Sequence, residues 1–213
     1  LNLRQANHAL KGDPALLERV TSNLESAGAP ASSGGVEVMH SLWLIAAGAG
    51  GHAGVKSPFA LIQEIREWFD GPLLLSGAMA TGGGVLAAQA MGADLAYIGS
   101  AFIATQEARA SDAYKQAIVE GTSDDIVYSS LFTGVHGNYL KASIRNAGLD
   151  PDHLPESDPT KMNFSGGEGA KKAWKDIWGC GQGIGAVKAV LPAAALVDRL
   201  AREYGEARER LCA

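Results

Sequence analysis

A histidine set in a glycine-rich turn is the sharpest chemical feature of this 213-residue chain: Gly48-Ala49-Gly50-Gly51-His52-Ala53-Gly54 follows directly on an apolar run. Glycine has no Cβ, so backbone N–H groups in such a turn approach a flat ring or an anion closely. An imidazole held there works as acid or base near neutral pH. Two further clusters share the setting: Ser76-Gly77-Ala78-Met79-Ala80-Thr81-Gly82-Gly83-Gly84, and Ile98-Gly99-Ser100. Each follows an apolar run; the first opens a helix and the second carries a hydroxyl. Glycine amides at two successive strand ends are the ingredients of a phosphate cradle.

Other phosphate sites fit less well. There is no Gly-x-x-x-x-Gly-Lys-Ser/Thr for ATP or GTP, and no Gly-x-Gly-x-x-Gly follows a strand with an acid downstream, which disfavours a Rossmann NAD site. The string Gly181-Gln182-Gly183-Ile184-Gly185 comes late and after a helix. No Gly-x-Ser-x-Gly elbow suggests a serine hydrolase. Asp124-Asp125 and Asp150/Asp152 lack metal-ligand spacing, so no metal is expected. His136 sits in a second glycine turn, whereas His8, His40 and His153 read as surface residues. Trp174 and Trp178 lie i, i+4 on one helical face and read as core.

The elements that must position these residues alternate. Residues 13–24 have an Asp-Pro start and helical apolar spacing. Apolar runs at 36–39, 42–47, 73–75 and 95–98 read as buried strands, and helices are expected over 57–69 and 84–91 between the later ones. This is the parallel α/β pattern, with its glycine clusters where such folds keep their ligands, at the C-terminal strand ends. Only His40 and Ser41 separate the first two runs, whereas parallel neighbours need a crossover of about ten residues or more. Either the first run is not a parallel strand or a helix is missing between them. Beyond residue 106 a helix is expected over 110–120, a mixed run over 123–138, an irregular lid-like connection over 149–169, and helices over 171–178 and 191–210.

Composition narrows the classes. Lys plus Arg number 18 against 23 Asp plus Glu, a net charge of −5 with scattered basic residues, which argues against nucleic acid. No apolar run reaches the roughly 18–20 residues of a membrane span. The two cysteines, Cys180 and Cys212, have neither disulfide-framework nor zinc spacing, and a reducing cytoplasmic setting is expected. Glycine, at 27 residues, is nearly twice its usual share, and its clustering marks tight backbone at chosen places.

The runs AAGAGGHAG, LLLSGAMATGGGVLAAQAMGADLAYIGSAFIAT, FTGVHGNYLKASI and AWKDIWGCGQGIGAV together resemble the nitronate monooxygenase (2-nitropropane dioxygenase) family of FMN enzymes, over about residues 36–205. The resemblance implies a (β/α)8 TIM barrel binding FMN at its C-terminal face, with an added helical domain over the site. Residues 1–105 would be the C-terminal part of the barrel, 106–178 the helical or lid domain, and 179–213 a tail returning to the barrel. It also implies that Gly50, Gly51 and His52 lie beside the flavin, with His52 as catalytic base. Gly77, Ala78, Gly99 and Ser100 would form the FMN-phosphate loops, and Gln182 and Gly183 the tail contact. A complete barrel needs about 250 residues and eight strands; four strand candidates and a start at Leu1 lead us to expect a piece of a longer chain or a non-functional fragment. The implied reaction is oxidation of alkyl nitronates by dioxygen to carbonyl compounds and nitrite. Two alternatives are an NADH:quinone reductase on the same FMN barrel, with NADH as co-substrate, and a non-catalytic phosphate-ligand-binding protein.

Overall fold

The computed structural model describes residues 42–155 and 176–213. The helix expected over 13–24, the strand over 36–39 with its short link to residue 42, and most of 171–178 lie outside these residues. Strands β1 (Leu42–Ile45), β3 (Leu73–Ser76) and β4 (Leu95–Tyr97) form a parallel sheet in the order β1-β3-β4. Helix α1 (Pro58–Arg66) links the first pair and α2 (Gly82–Ala90) the second, the βαβ arrangement read from the sequence.

Alternation along the strands builds the core. Leu42, Leu44, Leu73 and Leu75 point to one face and pack with Ile62, Ile65 and Phe69 of the α1 region and with Ala88 of α2. Each fully buried side chain of this kind contributes roughly 1.5–3 kcal/mol. The other face is more open than two-sided burial would give: Trp43, Leu95 and Tyr97 are about half exposed, because among the described residues the helices cover one side only. Arg66 closes the lower edge by donating to the carbonyls of Gly92, Phe69 and Gly71 and to Asp94, whose carboxylate also accepts from Leu73 N–H at 2.8 Å.

The stretch after residue 106 corrects the helical expectation in part. It contains a helix α4 (Asp112–Glu120), following the short α3 (Ser100–Ile103), but residues 126–140 form a hairpin of β5 (Ile126–Ser129) and β6 (Gly137–Leu140). With β2 (Gly51–His52) they make a second, antiparallel sheet in the order β2-β6-β5. The polar and glycine residues between the two strands break any period-2 signal, which hides the hairpin from pattern reading. A short helix α5 (Lys141–Asn146) follows β6, and α6 (Ala193–Cys212) ends the chain against α2. Among the described residues no helix is long and apolar enough to cross a membrane.

Candidate functional site

Three backbone loops meet at the C-terminal end of the parallel sheet. Gly48 O accepts from Ala78 N–H at 3.1 Å and from Gln182 N–H at 2.9 Å, which ties the turn after β1 to the turn after β3 and to the tail. Contact this close excludes side chains. A Cβ on Gly50 would lie 2.8 Å from Gly181 N, one on Gly181 2.6 Å from Gly48 O, and one on Gly183 2.7 Å from Ala78 O. These glycines are required by the protein's own packing. Gly51 and Gly99 differ: a Cβ at either would meet nothing within 4 Å.

The junction encloses a cavity of about 240 Å³ lined by Gly50, Gly51, Gly77, Ala78, Gly99, Ser100 and Gly183 of the expected site residues. Gln182 does not line it. Its side chain lies behind Gly48, where its Oε1 would be 2.8 Å from an added Cβ. The wall also holds Tyr97, Ile103 and Gly179, which sequence reading missed, and Ser76, Met79 and Gly181, which it named within glycine clusters without assigning them a site role. The position of Tyr97 and Ser76 at strand ends was the available signal for those two.

The donors are fewer than the glycine count suggests. Ala78, with φ of 52° the one described non-glycine residue in the left-handed region, spends its amide on Gly48 O. The Gly82-Gly83-Gly84 run does not face the cavity. Gly84 N–H is capped by Thr81 Oγ1 at 3.1 Å and Gly82 N–H by Glu203 of α6 at 2.9 Å. A Cβ on Gly82 would come within 2.2 Å of Leu200 O, so that run serves helix packing and corrects the expected phosphate role of this helix start. At the third loop, the first-turn amides of α3, at Ser100 and Ala101, have no intrahelical acceptor. Ser100 Oγ accepts from Gly181 N–H at 2.9 Å and so binds this loop to the tail.

A second cavity of about 430 Å³ shares Gly51 and Gly179 with the first. His52 lines it, with Tyr114, Tyr139, Trp178 and Arg109. The glycine turn is held by the second sheet: buried Asn138 Nδ2 donates to Ala49 O at 2.7 Å, and Tyr128 Oη donates to Ala53 O at 2.8 Å. His52 Nε2 lies 2.9 Å from Thr133 Oγ1. Tyr114 donates to Gly179 O and stacks on Trp178, and burial pushes its hydroxyl far above the usual phenol value. Burial likewise raises Cys180, within the tail, to about 11 despite hydrogen bonds with Ser100 and the Gly181 amide. His136 stacks on Tyr128 at 5.0 Å, and His153 pairs with Asp150 at 2.8 Å; both stand away from the cavities.

Comparison with known proteins decides the family. The model of the nitronate monooxygenase family matches residues 4–203. The chain belongs to the nitronate monooxygenase family. A nitronate monooxygenase of Paraburkholderia phytofirmans is 29% identical over 178 residues, covering 76% of this chain and 48% of that protein. A nitroalkane oxidase structure from Streptomyces ansochromogenes superposes with a TM-score of 0.61 at 27% identity, over 81% of this chain and 53% of that one. FabK from Thermotoga maritima, at a TM-score of 0.62 and 22% identity, covers 81% and 56% and shares the fold. The chain spans about half the length of the curated relatives it matches. This nitronate monooxygenase family member is therefore an α/β protein of a flavoenzyme family.

Proposed function

We propose that the protein is an FMN-dependent oxidoreductase that oxidises alkyl nitronates with dioxygen to carbonyl compounds and nitrite. The observation that carries this is the pair of cavities that share Gly51 and Gly179, one lined mostly by glycine and the other by His52. A cofactor held in the first would neighbour a small substrate held in the second, because Gly51 and Gly179, which add no side chain, line both. The cradle suits the group: Gly51 and Gly99 leave open space where a Cβ would project, and Ser100, which lines the cavity, has a first-turn amide without an intrahelical acceptor. At about 240 Å³ it falls below the roughly 300–1,000 Å³ of complete small-molecule sites. The parallel sheet is accordingly read as part of a (β/α)8 barrel whose remaining strands complete the wall.

Bound FMN would supply the electron-transfer chemistry, and the protein binds, orients and shields. His52 takes the α-proton of a neutral nitroalkane; with a pre-ionised nitronate it orients and balances the anion. Tyr114, its proton held tightly by burial, stays a donor to Gly179 O and fixes the wall between the cavities. The test is His52→Asn. Flavin binding should survive, while turnover of nitroethane falls by about 10²–10⁴-fold, the usual worth of a general base, and turnover of its nitronate falls far less. Equal losses for both forms would remove the base role.

A further inference from the structure

We infer that Thr133 is a positioning residue that fixes the tautomer of His52, placing the proton of the neutral imidazole on Nε2 and its basic lone pair on Nδ1. The loop Thr133-Gly134-Val135 between β5 and β6 folds back on itself, with Gly134 at φ of 76°. Thr133 Oγ1 therefore meets both backbone groups of Val135: the carbonyl oxygen at 2.9 Å and the amide nitrogen at 3.3 Å.

A hydroxyl has one proton to give and two lone pairs with which to accept. The Val135 carbonyl can only accept, so the hydroxyl proton goes to it, and the Val135 amide can only donate, so it takes one lone pair. The remaining lone pair faces His52 Nε2 at 2.9 Å, and a hydrogen bond there requires that Nε2 carry the proton. Tyr139 Oη also lies within hydrogen-bond distance of Thr133 Oγ1, but at 3.4 Å it is the longest of the four contacts, 0.5 Å longer than that to His52, and so the weakest competitor for that lone pair. The opposite assignment would turn the hydroxyl proton toward Nε2 and leave two oxygens facing each other at 2.9 Å without a proton between them.

Backbone geometry, which does not titrate, thus orders a catalytic tautomer, the task that a carboxylate performs in hydrolytic triads. When Nδ1 takes up a proton, Nε2–H remains on Thr133, so the ring does not need to turn between its two protonation states. The base role of His52 rests on the function proposed above; the tautomer is argued from the hydrogen bonds of Thr133.

Side-chain 15N–1H correlation spectra of the protein with and without FMN, with the His52 signals identified by their loss in His52→Asn, read the tautomer directly. The expected result is the Nε2–H form in the wild type and in Thr133→Ser, and a mixture of the two forms in Thr133→Val. Nitroethane turnover should drop about 10- to 100-fold in Thr133→Val, the usual worth of one hydrogen bond to a charged group, and recover in Thr133→Ser. Wild-type His52 in the Nδ1–H form would overturn the inference, whether or not Thr133→Val folds. An unchanged tautomer in Thr133→Val would overturn it equally. The Nε2–H form in a protein that leaves nitroethane untouched would uphold the inference while refuting the proposed reaction.

Discussion

Gly99 offers a substitution in which folding and cofactor binding should move in opposite directions. Its backbone, φ −105° and ψ −62°, is open to any L-residue, and a Cβ there meets no protein atom within 4 Å. Gly99→Ala should therefore leave the fold intact and stabilise the ligand-free protein by about 0.4–1 kcal/mol, because the unfolded chain loses freedom. The new methyl stands in the cavity of about 240 Å³, where it crowds a bound flavin. Overpacking of this kind costs about 1–3 kcal/mol, or roughly 5- to 150-fold in the FMN dissociation constant. Gly50→Ala is the control: its Cβ falls 2.8 Å from Gly181 N and 3.0 Å from the Cys180 carbonyl carbon, so backbone must move. That variant should melt lower with or without FMN. Flavin fluorescence titration and thermal melts of the ligand-free proteins measure both quantities. Unchanged FMN affinity in Gly99→Ala would refute the cradle.

Three further outcomes follow from the geometry. Asn138→Ala removes the buried donor to Ala49 O and should cost about 1–3 kcal/mol in urea unfolding, since it leaves that carbonyl unpaired. Cys180 is buried with its thiol at about 11, whereas Cys212 is exposed; iodoacetamide at pH 8 should label Cys212 alone in the native protein and both after denaturation, by mass spectrometry. Asp94 is held below the usual carboxyl value by Leu73 N–H and then by Arg66. Its stabilisation is complete above the unfolded value near ~4 and is lost as the pH falls through the lower folded value; with the carboxylate over half exposed it is worth at most about 1 kcal/mol. The stability gap between wild type and Asp94→Asn should accordingly be present at pH 7 and close in acid.

The cavity wall was legible in the sequence where glycine clusters end apolar runs. Gly50, Gly51, Gly77 and Gly99 come together because parallel strands deliver their C-terminal ends to one side. What each glycine does there was not legible. Gly82 and Gly84 look like phosphate ligands until α6 is seen to press on one and Thr81 to cap the other, and α6 arrives from more than a hundred residues away. Thr133 escaped for a related reason. Its contact with His52 depends on β6 pairing with β2, a long-range register that no local period reveals. Gln182 shows the reverse case, where a motif neighbour of the cavity turns its side chain away from it.

The most direct test of the proposed chemistry is anaerobic stopped-flow mixing of the FMN-loaded protein with ethylnitronate and, separately, with NADH. Rapid loss of oxidised-flavin absorbance is expected with the nitronate and no comparable loss with NADH, followed by nitrite release when dioxygen is admitted. Rapid bleaching by NADH alongside an inert nitronate would contradict it and assign the protein to nicotinamide-dependent reduction of an acceptor such as a quinone.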